Sequence, residues 1–204
     1  LILCPKSVIP DWERRLWDWA PEIKVVKVRG PKEQRQLSWN TPVHIYLTTY
    51  ETLREDLSAS LMELKEKRPK ASSLFDVKQD IEGEDTAEDI ARKQFDLIVL
   101  DEIQKIKNPG ADITKAAWQI DAKFRWGLSG TPLENRLEEL VSIFSYLKPR
   151  LLHYDDAARP LKVKETIKPY FLRRRKADAL PELPEKVYDE VWLELSPAQR
   201  EAYD

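Results

Sequence analysis

The sequence predicts an α/β fold: a mostly parallel sheet flanked by helices. Two observations predict it. Short apolar runs alternate with segments of helical period along the chain, the order that parallel β-α-β units produce. One run, Phe95-Asp96-Leu97-Ile98-Val99-Leu100, is almost continuously apolar, which suits a strand covered on both faces.

Taken in order, Leu1 to Cys4 reads as an apolar strand ended by Pro5. The stretch Pro10 to Trp19 follows as a helix. Trp12, Leu16 and Trp19 fall at spacings of four and three on one face, and their bulk reads as core packing. Ile23 to Val28 alternates as a second strand, punctuated by Gly30-Pro31, and a charged helix runs to about Trp39. Val43 to Leu47 is a third strand, closed by Thr48-Thr49-Tyr50, with a helix from near Glu51.

Residues 58–92 differ. They are rich in Lys, Glu, Asp and Ser, with Gly83 near the middle. They read as a helical or partly disordered insertion, serving either as solvated surface or as a segment that recognises a partner. After the Phe95 strand, a helix begins beyond Asn108-Pro109-Gly110 and runs through Ala117 to Ile120. Phe124 to Leu128 is a short strand. Leu133 to Leu147 is a helix with Leu137, Leu140, Val141, Phe144 and Leu147 on one face, stopped by Pro149. The pattern then shifts to a basic stretch: Lys162, Lys164, Lys168, Arg173, Arg174, Arg175 and Lys176. Its arginines form a solvated face or meet an acidic partner segment, or else they contact the phosphates of a nucleic acid. Pro181 and Pro184 mark an extended connector, Val187 to Leu195 alternates like a strand, and Ser196-Pro197-Ala198-Gln199 starts a last helix with a capping box.

The 204 residues fit one sizeable domain, or one domain plus the edge of another. With 42% hydrophobic residues there is enough for a core, and 34% charged residues predict a well-solvated surface. A net charge of -2 provides no global field for nucleic acid, so any basic patch must be local. A single cysteine excludes an intramolecular disulfide framework. No apolar run approaches the ~20 residues of a membrane span. The expected setting is intracellular, in a nucleus or a bacterial or archaeal cytoplasm. The chain opens inside a strand without a Met, so further sequence is expected upstream.

In parallel α/β sheets, ligands bind beyond the carboxyl ends of the strands. There the sequence places Asp101-Glu102, after the Phe95 strand, and Gly127-Leu128-Ser129-Gly130-Thr131-Pro132, a tight strand-to-helix turn. In nucleotide hydrolases an aspartate so placed holds Mg²⁺, and a neighbouring glutamate polarises the attacking water. Acidic residues also end strands simply because the chain re-enters solvent, and the second segment also reads as an ordinary capped turn. Neither motif decides alone.

Together they carry a resemblance. FDLIVLDEIQKIKNP resembles the Asp-Glu box of the Swi/Snf-type ATPases of helicase superfamily two, and GLSGTPLENRLEELVSIFSYLKP resembles their third motif. LILCPKSVIPDWERRLWDWAP is similar to their first DNA-contacting motif, LTTYETLRED to the second, and YFLRRRKADALPELPEKVYDEVWLELSPAQREAYD to the handover between their two lobes. The motifs stand in family order along nearly the whole chain, residues 58–92 apart.

The resemblance implies a RecA-like sheet. It makes 1–175 an incomplete first ATPase lobe, and 176–204 the inter-lobe connector with the start of the second lobe. It implies ATP and Mg²⁺ as cofactors, with Asp101 coordinating Mg²⁺, Glu102 activating water and Gln104 in the same nucleotide site. Many relatives carry His at the position of Gln104. Ser129, Gly130 and Thr131 would couple nucleotide state to DNA grip. Pro5, Lys6 and Ser7, with Thr48 and Thr49, would lie along a DNA strand, extended by Lys105, Lys107 and Asn108. Such contacts position a protein on double-stranded DNA without reading sequence.

A phosphate-gripping loop of the Gly-x-x-x-x-Gly-Lys-Ser/Thr kind is not among these residues. None of the five glycines, Gly30, Gly83, Gly110, Gly127 and Gly130, is followed by lysine. In the resembled family that loop lies upstream of the CPKS motif, and the second lobe supplies an arginine finger. The chain by itself is therefore expected to hydrolyse ATP negligibly, and to need the missing second lobe as partner. The intact motor would act on DNA carrying nucleosomes or other bound proteins. Two other readings stay open: a truncated binding module without catalysis, and a strand-separating helicase of the same superfamily.

Overall fold

The computed structural model describes residues 1–66, 90, 93–130, 137–174, 189–194 and 196–203. It contains β1 (Ile2–Cys4), α1 (Ile9–Trp19), β2 (Val25–Lys27), α2 (Lys32–Asn40), β3 (Ile45–Thr49) and α3 (Tyr50–Glu66). After these come β4 (Gln94–Asp101), α4 (Asp112–Gln119), β5 (Asp121–Leu128), α5 (Leu137–Leu147), α6 (Pro160–Ile167) and α7 (Pro197–Tyr203). The chain divides into two compact units, Leu1–Ile167 and Lys168–Asp204.

The first unit holds a five-stranded sheet in the order β2-β3-β1-β4-β5. Every pairing is parallel, as the alternation of strands and helices predicts. The short β1 is central, with Leu3 opposite both Thr48 and Leu100. Period-two alternation sends its side chains to two cores. Leu1 and Leu3 join Tyr50, Leu53, Ile98 and Leu100 on one face. Ile2 and Cys4 join Leu47 and Val99 on the other, where Trp12 and Leu16 of α1 pack. The face of α1 is used only as far as Leu16. Trp19, expected in the core with it, is 87% exposed.

β3 runs on through Thr48 and Thr49 rather than closing before them, and α3 begins at Tyr50. Thr49 makes the handover possible: its Oγ1 accepts the Thr52 N–H at 3.1 Å, satisfying one of the first free donors of α3. Of the 58–92 insertion, α3 extends to Glu66, and Ile90 is fully buried in the main core, not in a solvated face. The remainder of that expectation lies outside the described residues.

α5 carries Leu140, Val141 and Phe144 into a separate cluster with Leu152, Val163 and Ile167, while its Ile143 and Tyr146 face the main core. α6 was legible only as a basic stretch. Val163 and Ile167, four residues apart between the lysines, give it a buried stripe. In the second unit, α7 starts as read: the Ser196 N–H donates to Gln199 Oε1 at 3.0 Å, and Gln199 N–H returns to Ser196 Oγ at 3.4 Å. The strand expected over 187–195 is absent where described. Residues 189–194 are exposed and form no strand, because alternation without a ladder partner does not make one.

Candidate functional site

Because all strands are parallel, the carboxyl ends of β1, β3, β4 and β5 lie at one edge of the sheet. Cys4 stands opposite Thr49, and Asp101 opposite Leu128. The Pro5–Ser7 turn, Thr48-Thr49, Asp101-Glu102 and Ser129 are brought to that edge by register alone.

Asp101 closes β4 behind Val99 and Leu100, which are buried in opposite cores. Its Oδ2 accepts the indole N–H of Trp12 at 2.8 Å, and its Oδ1 accepts the backbone N–H of Glu102 at 3.0 Å. The Asp101 carbonyl accepts the hydroxyl of Tyr50 at 2.8 Å. Burial, reinforced by the charge of Asp101, pushes the Tyr50 phenol far up, so it acts as a donor.

Glu102 has φ 55° and ψ 54°, the left-handed region. A side chain there costs about 1–3 kcal/mol, and such residues gather at functional sites. The kink turns the chain from β4 into a 3-10 turn, Ile103–Ile106, whose two isoleucines are buried. Ile103 sits against Gly127 of β5 so closely that a Cβ at Gly127 would collide with it. The next residue, Gln104, bridges two motifs. Its Nε2 donates to Glu102 Oε2 at 2.6 Å, and its Oε1 accepts the hydroxyl of Ser129 at 2.7 Å. An amide is suited to this place because it donates at one end and accepts at the other. Gly130 has open space around the position of a Cβ, and Thr131 lies outside the described residues.

The side chains expected along a DNA strand are placed unequally. Lys6 and Ser7 are exposed and Pro5 is half-buried. Thr48 is 0% exposed, and its hydroxyl donates to the Val28 carbonyl at 3.0 Å, so its side chain belongs to the core and not to a surface track. Thr49 is engaged as the cap of α3. Lys105 pairs with Glu51 at 2.9 Å and lies over the Tyr50 ring. Lys107 pairs with Glu139 at 3.3 Å. Asn108 Oδ1 accepts the Gly110 N–H at 3.0 Å, and its carbonyl accepts the Thr114 hydroxyl at 2.6 Å, so it shapes the turn into α4.

Two residues of this site escaped sequence reasoning. Trp12 was legible as packing, and Tyr50 only as part of a turn. The available signal was chemical: a half-buried indole N–H and a buried phenol both call for a partner.

Among the described residues no group of three or more His, Cys, Asp or Glu side chains could hold a metal unaided. The carboxylates of Asp101 and Glu102 at the end of β4 are donors of the kind a hydrated Mg²⁺ uses, one or two carboxylates together with phosphate oxygens and waters. No helix among the described residues is long and apolar enough to cross a membrane.

Comparison with known proteins agrees with this geometry. The Sulfolobus solfataricus SWI2/SNF2 ATPase core in complex with dsDNA superposes with a TM-score of 0.64 at 29% identity, over 99% of this chain and 39% of that one. The uncharacterized ATP-dependent helicase MG018 of Mycoplasma genitalium is 30% identical over 216 residues, covering 100% of this chain and 18% of the relative. Zorya protein ZorD of Escherichia coli is 30% identical over 245 residues, covering 100% of this chain and 20% of the relative. The chain thus spans only a minor part of these relatives. The SNF2-related domain matches residues 1–204, the whole sequence. With a RecA-like parallel sheet and an acidic box joined to the turn after β5, the chain belongs to the SNF2-related domain family.

Proposed function

We propose that the chain is part of an ATP-driven motor that translocates on double-stranded DNA, of the Swi/Snf type. The observation that carries the reading is the hydrogen-bonded line Ser129–Gln104–Glu102, which links the turn after β5 to the candidate general base.

In this reading Asp101 would hold Mg²⁺ on the nucleotide, where the ion would supply charge neutralisation to the phosphoryl group. Glu102 polarises the attacking water. Gln104 occupies one of its two carboxylate oxygens and orients the other. Ser129, Gly130 and Thr131 pass the state of the nucleotide to the DNA-gripping surface. Pro5, Lys6 and Ser7 meet a DNA strand at the same sheet edge, through an exposed ammonium, a hydroxyl and backbone groups. Lys105, Lys107 and Asn108 contribute to that track only by exchanging their present partners for phosphates. The phosphate-gripping loop and the arginine finger come from other parts of the longer protein. The superposed Sulfolobus core, solved with dsDNA, supports the choice of duplex.

The test is ATP hydrolysis by the full-length protein with duplex DNA, single-stranded DNA or RNA, beside a Glu102→Gln variant. Strong stimulation by duplex is expected. Loss of a general base lowers turnover by about 10²–10⁴-fold. Hydrolysis absent under every condition would replace the motor with a non-catalytic binding module. Strand separation coupled to hydrolysis would replace it with a helicase.

A further inference from the structure

The Asp101 carboxylate is held by two donors, one on each oxygen. The Glu102 N–H is local and comes with the left-handed kink. The other, the Trp12 indole N–H, comes from α1, 89 residues away in sequence, at 2.8 Å. With both donors in place, the plane of the carboxylate is set; with one, it is free to turn about the remaining bond. Each oxygen keeps acceptor capacity after taking one hydrogen bond. Both can therefore still face a cation or its waters.

Trp12 is well fixed for this purpose. Its ring packs with Leu16 and Val8 against Ile2, Cys4, Ile9, Leu47 and Val99. Packing of the half-buried ring accounts for a large side chain here. It does not account for the direction of the N–H, which points at the one carboxylate that ends β4. A phenylalanine would fill the same face without the donor.

We propose that Trp12 is a positioning residue: its indole N–H sets the orientation in which the Asp101 carboxylate meets a divalent cation. The inference rests on the reading of Asp101 as the metal-holding residue. It adds a residue of the first helix to the machinery of the acidic box. Partners of this kind, which touch a ligating group rather than the metal, typically contribute about 10–100-fold in metal affinity.

The experiment uses Mn²⁺ as probe, followed by electron paramagnetic resonance in the full-length protein with a non-hydrolysable ATP analogue. Trp12→Phe is compared with wild type, Asp101→Asn and Leu16→Ala, the last removing a neighbour on the same helix face. The expected result is that Trp12→Phe raises the Mn²⁺ dissociation constant by about tenfold or more. Leu16→Ala should lower the thermal midpoint and leave the Mn²⁺ titration unchanged. Wild-type Mn²⁺ binding by Trp12→Phe, while Asp101→Asn loses it, would overturn the inference alone. Equal losses in Trp12→Phe and Leu16→Ala would also overturn it, because loosened packing of α1 would then be the cause. Wild-type binding by Asp101→Asn would remove the reading of Asp101 and the inference with it.

Discussion

The Ser129 hydroxyl donates to Gln104 Oε1 at 2.7 Å, so a residue just past β5 touches, through one amide, the glutamate just past β4. The bonds lie in series. Removing either end of the line should therefore interrupt the same signal. Ser129→Ala and Gln104→Ala in the full-length protein are each expected to lower duplex-stimulated turnover by up to about tenfold, the scale of one net hydrogen bond. The double variant should fall no further than the weaker single one, since residues in one network are not additive. A double variant whose loss is the product of the two would show that they act independently.

Gly127 is placed by its neighbour rather than by a turn. An added Cβ would collide with Ile103, the first residue after Glu102. Gly127→Ala is expected to lose about 1–3 kcal/mol in urea unfolding, the usual scale of overpacking. Pairing it with Ile103→Val, which removes the colliding methyl, should recover much of that loss. No recovery would place the strain elsewhere.

Asp56 is a buried carboxylate that accepts from Arg35 Nε at 2.7 Å and from Trp39 Nε1 at 2.8 Å. It fastens α3 to α2. Asp56→Ala leaves the Trp39 indole N–H without its acceptor and the Arg35 guanidinium with only the Gly30 carbonyl at 2.7 Å and Glu55 at 3.9 Å, at a cost of about 1–3 kcal/mol. Denaturant unfolding measures it. A loss below about 1 kcal/mol would class the contact with exposed ion pairs.

Asp156 sets a pH dependence. The backbone N–H of His153 and then the ammonium of Lys162, at 2.6 Å, hold its carboxyl below the ordinary 3.8. A depressed carboxylate adds stability above its unfolded pKa, and that contribution fades as pH falls through the folded value. The thermal midpoint of Asp156→Asn should therefore lie below wild type at neutral pH, with the gap closing in strong acid. A gap that stays constant with pH would mean the carboxylate acts by shape alone.

Cys4 offers a probe of the sheet edge. Burial, with the nearby Asp101 charge, pushes its thiol up to about 12. Thiolate is the reactive form, so the folded protein should resist alkylation at neutral pH and react fully once unfolded. Rapid labelling of the native state would show that the carboxyl end of β1 opens.

Much of the fold was legible because strands and helices announce themselves by period. The Phe95–Leu100 run and the capping box at Ser196 are local patterns that stand where they were read, and so does the face of α5 from Leu137 to Phe144, although Leu147 turns to the main core with Ile143 and Tyr146. The misses share a cause. Trp19 continued the face of α1, but a face is buried only where something covers it. The alternation around Trp192 had no ladder to join. Val163 and Ile167 were hidden among Lys162, Lys164 and Lys168. Of the candidate site, the acidic pair and the turn at Ser129 were visible as strand-end motifs. The inward turn of Thr48, and the engagement of Lys105, Lys107 and Asn108 with partners of their own, were not.

By itself the sequence determined the α/β class, the position of Asp101-Glu102 at a strand end, and the family resemblance, since all three depend on residue type and spacing. Tertiary structure decided the strand order, and with it which strand ends share an edge. It alone joined Trp12 to Asp101 and Ser129 to Glu102 through Gln104. Hydrogen bonds between residues distant in sequence have no period to read. They exist only once parallel pairing has set the register and packing has fixed the direction of each donor.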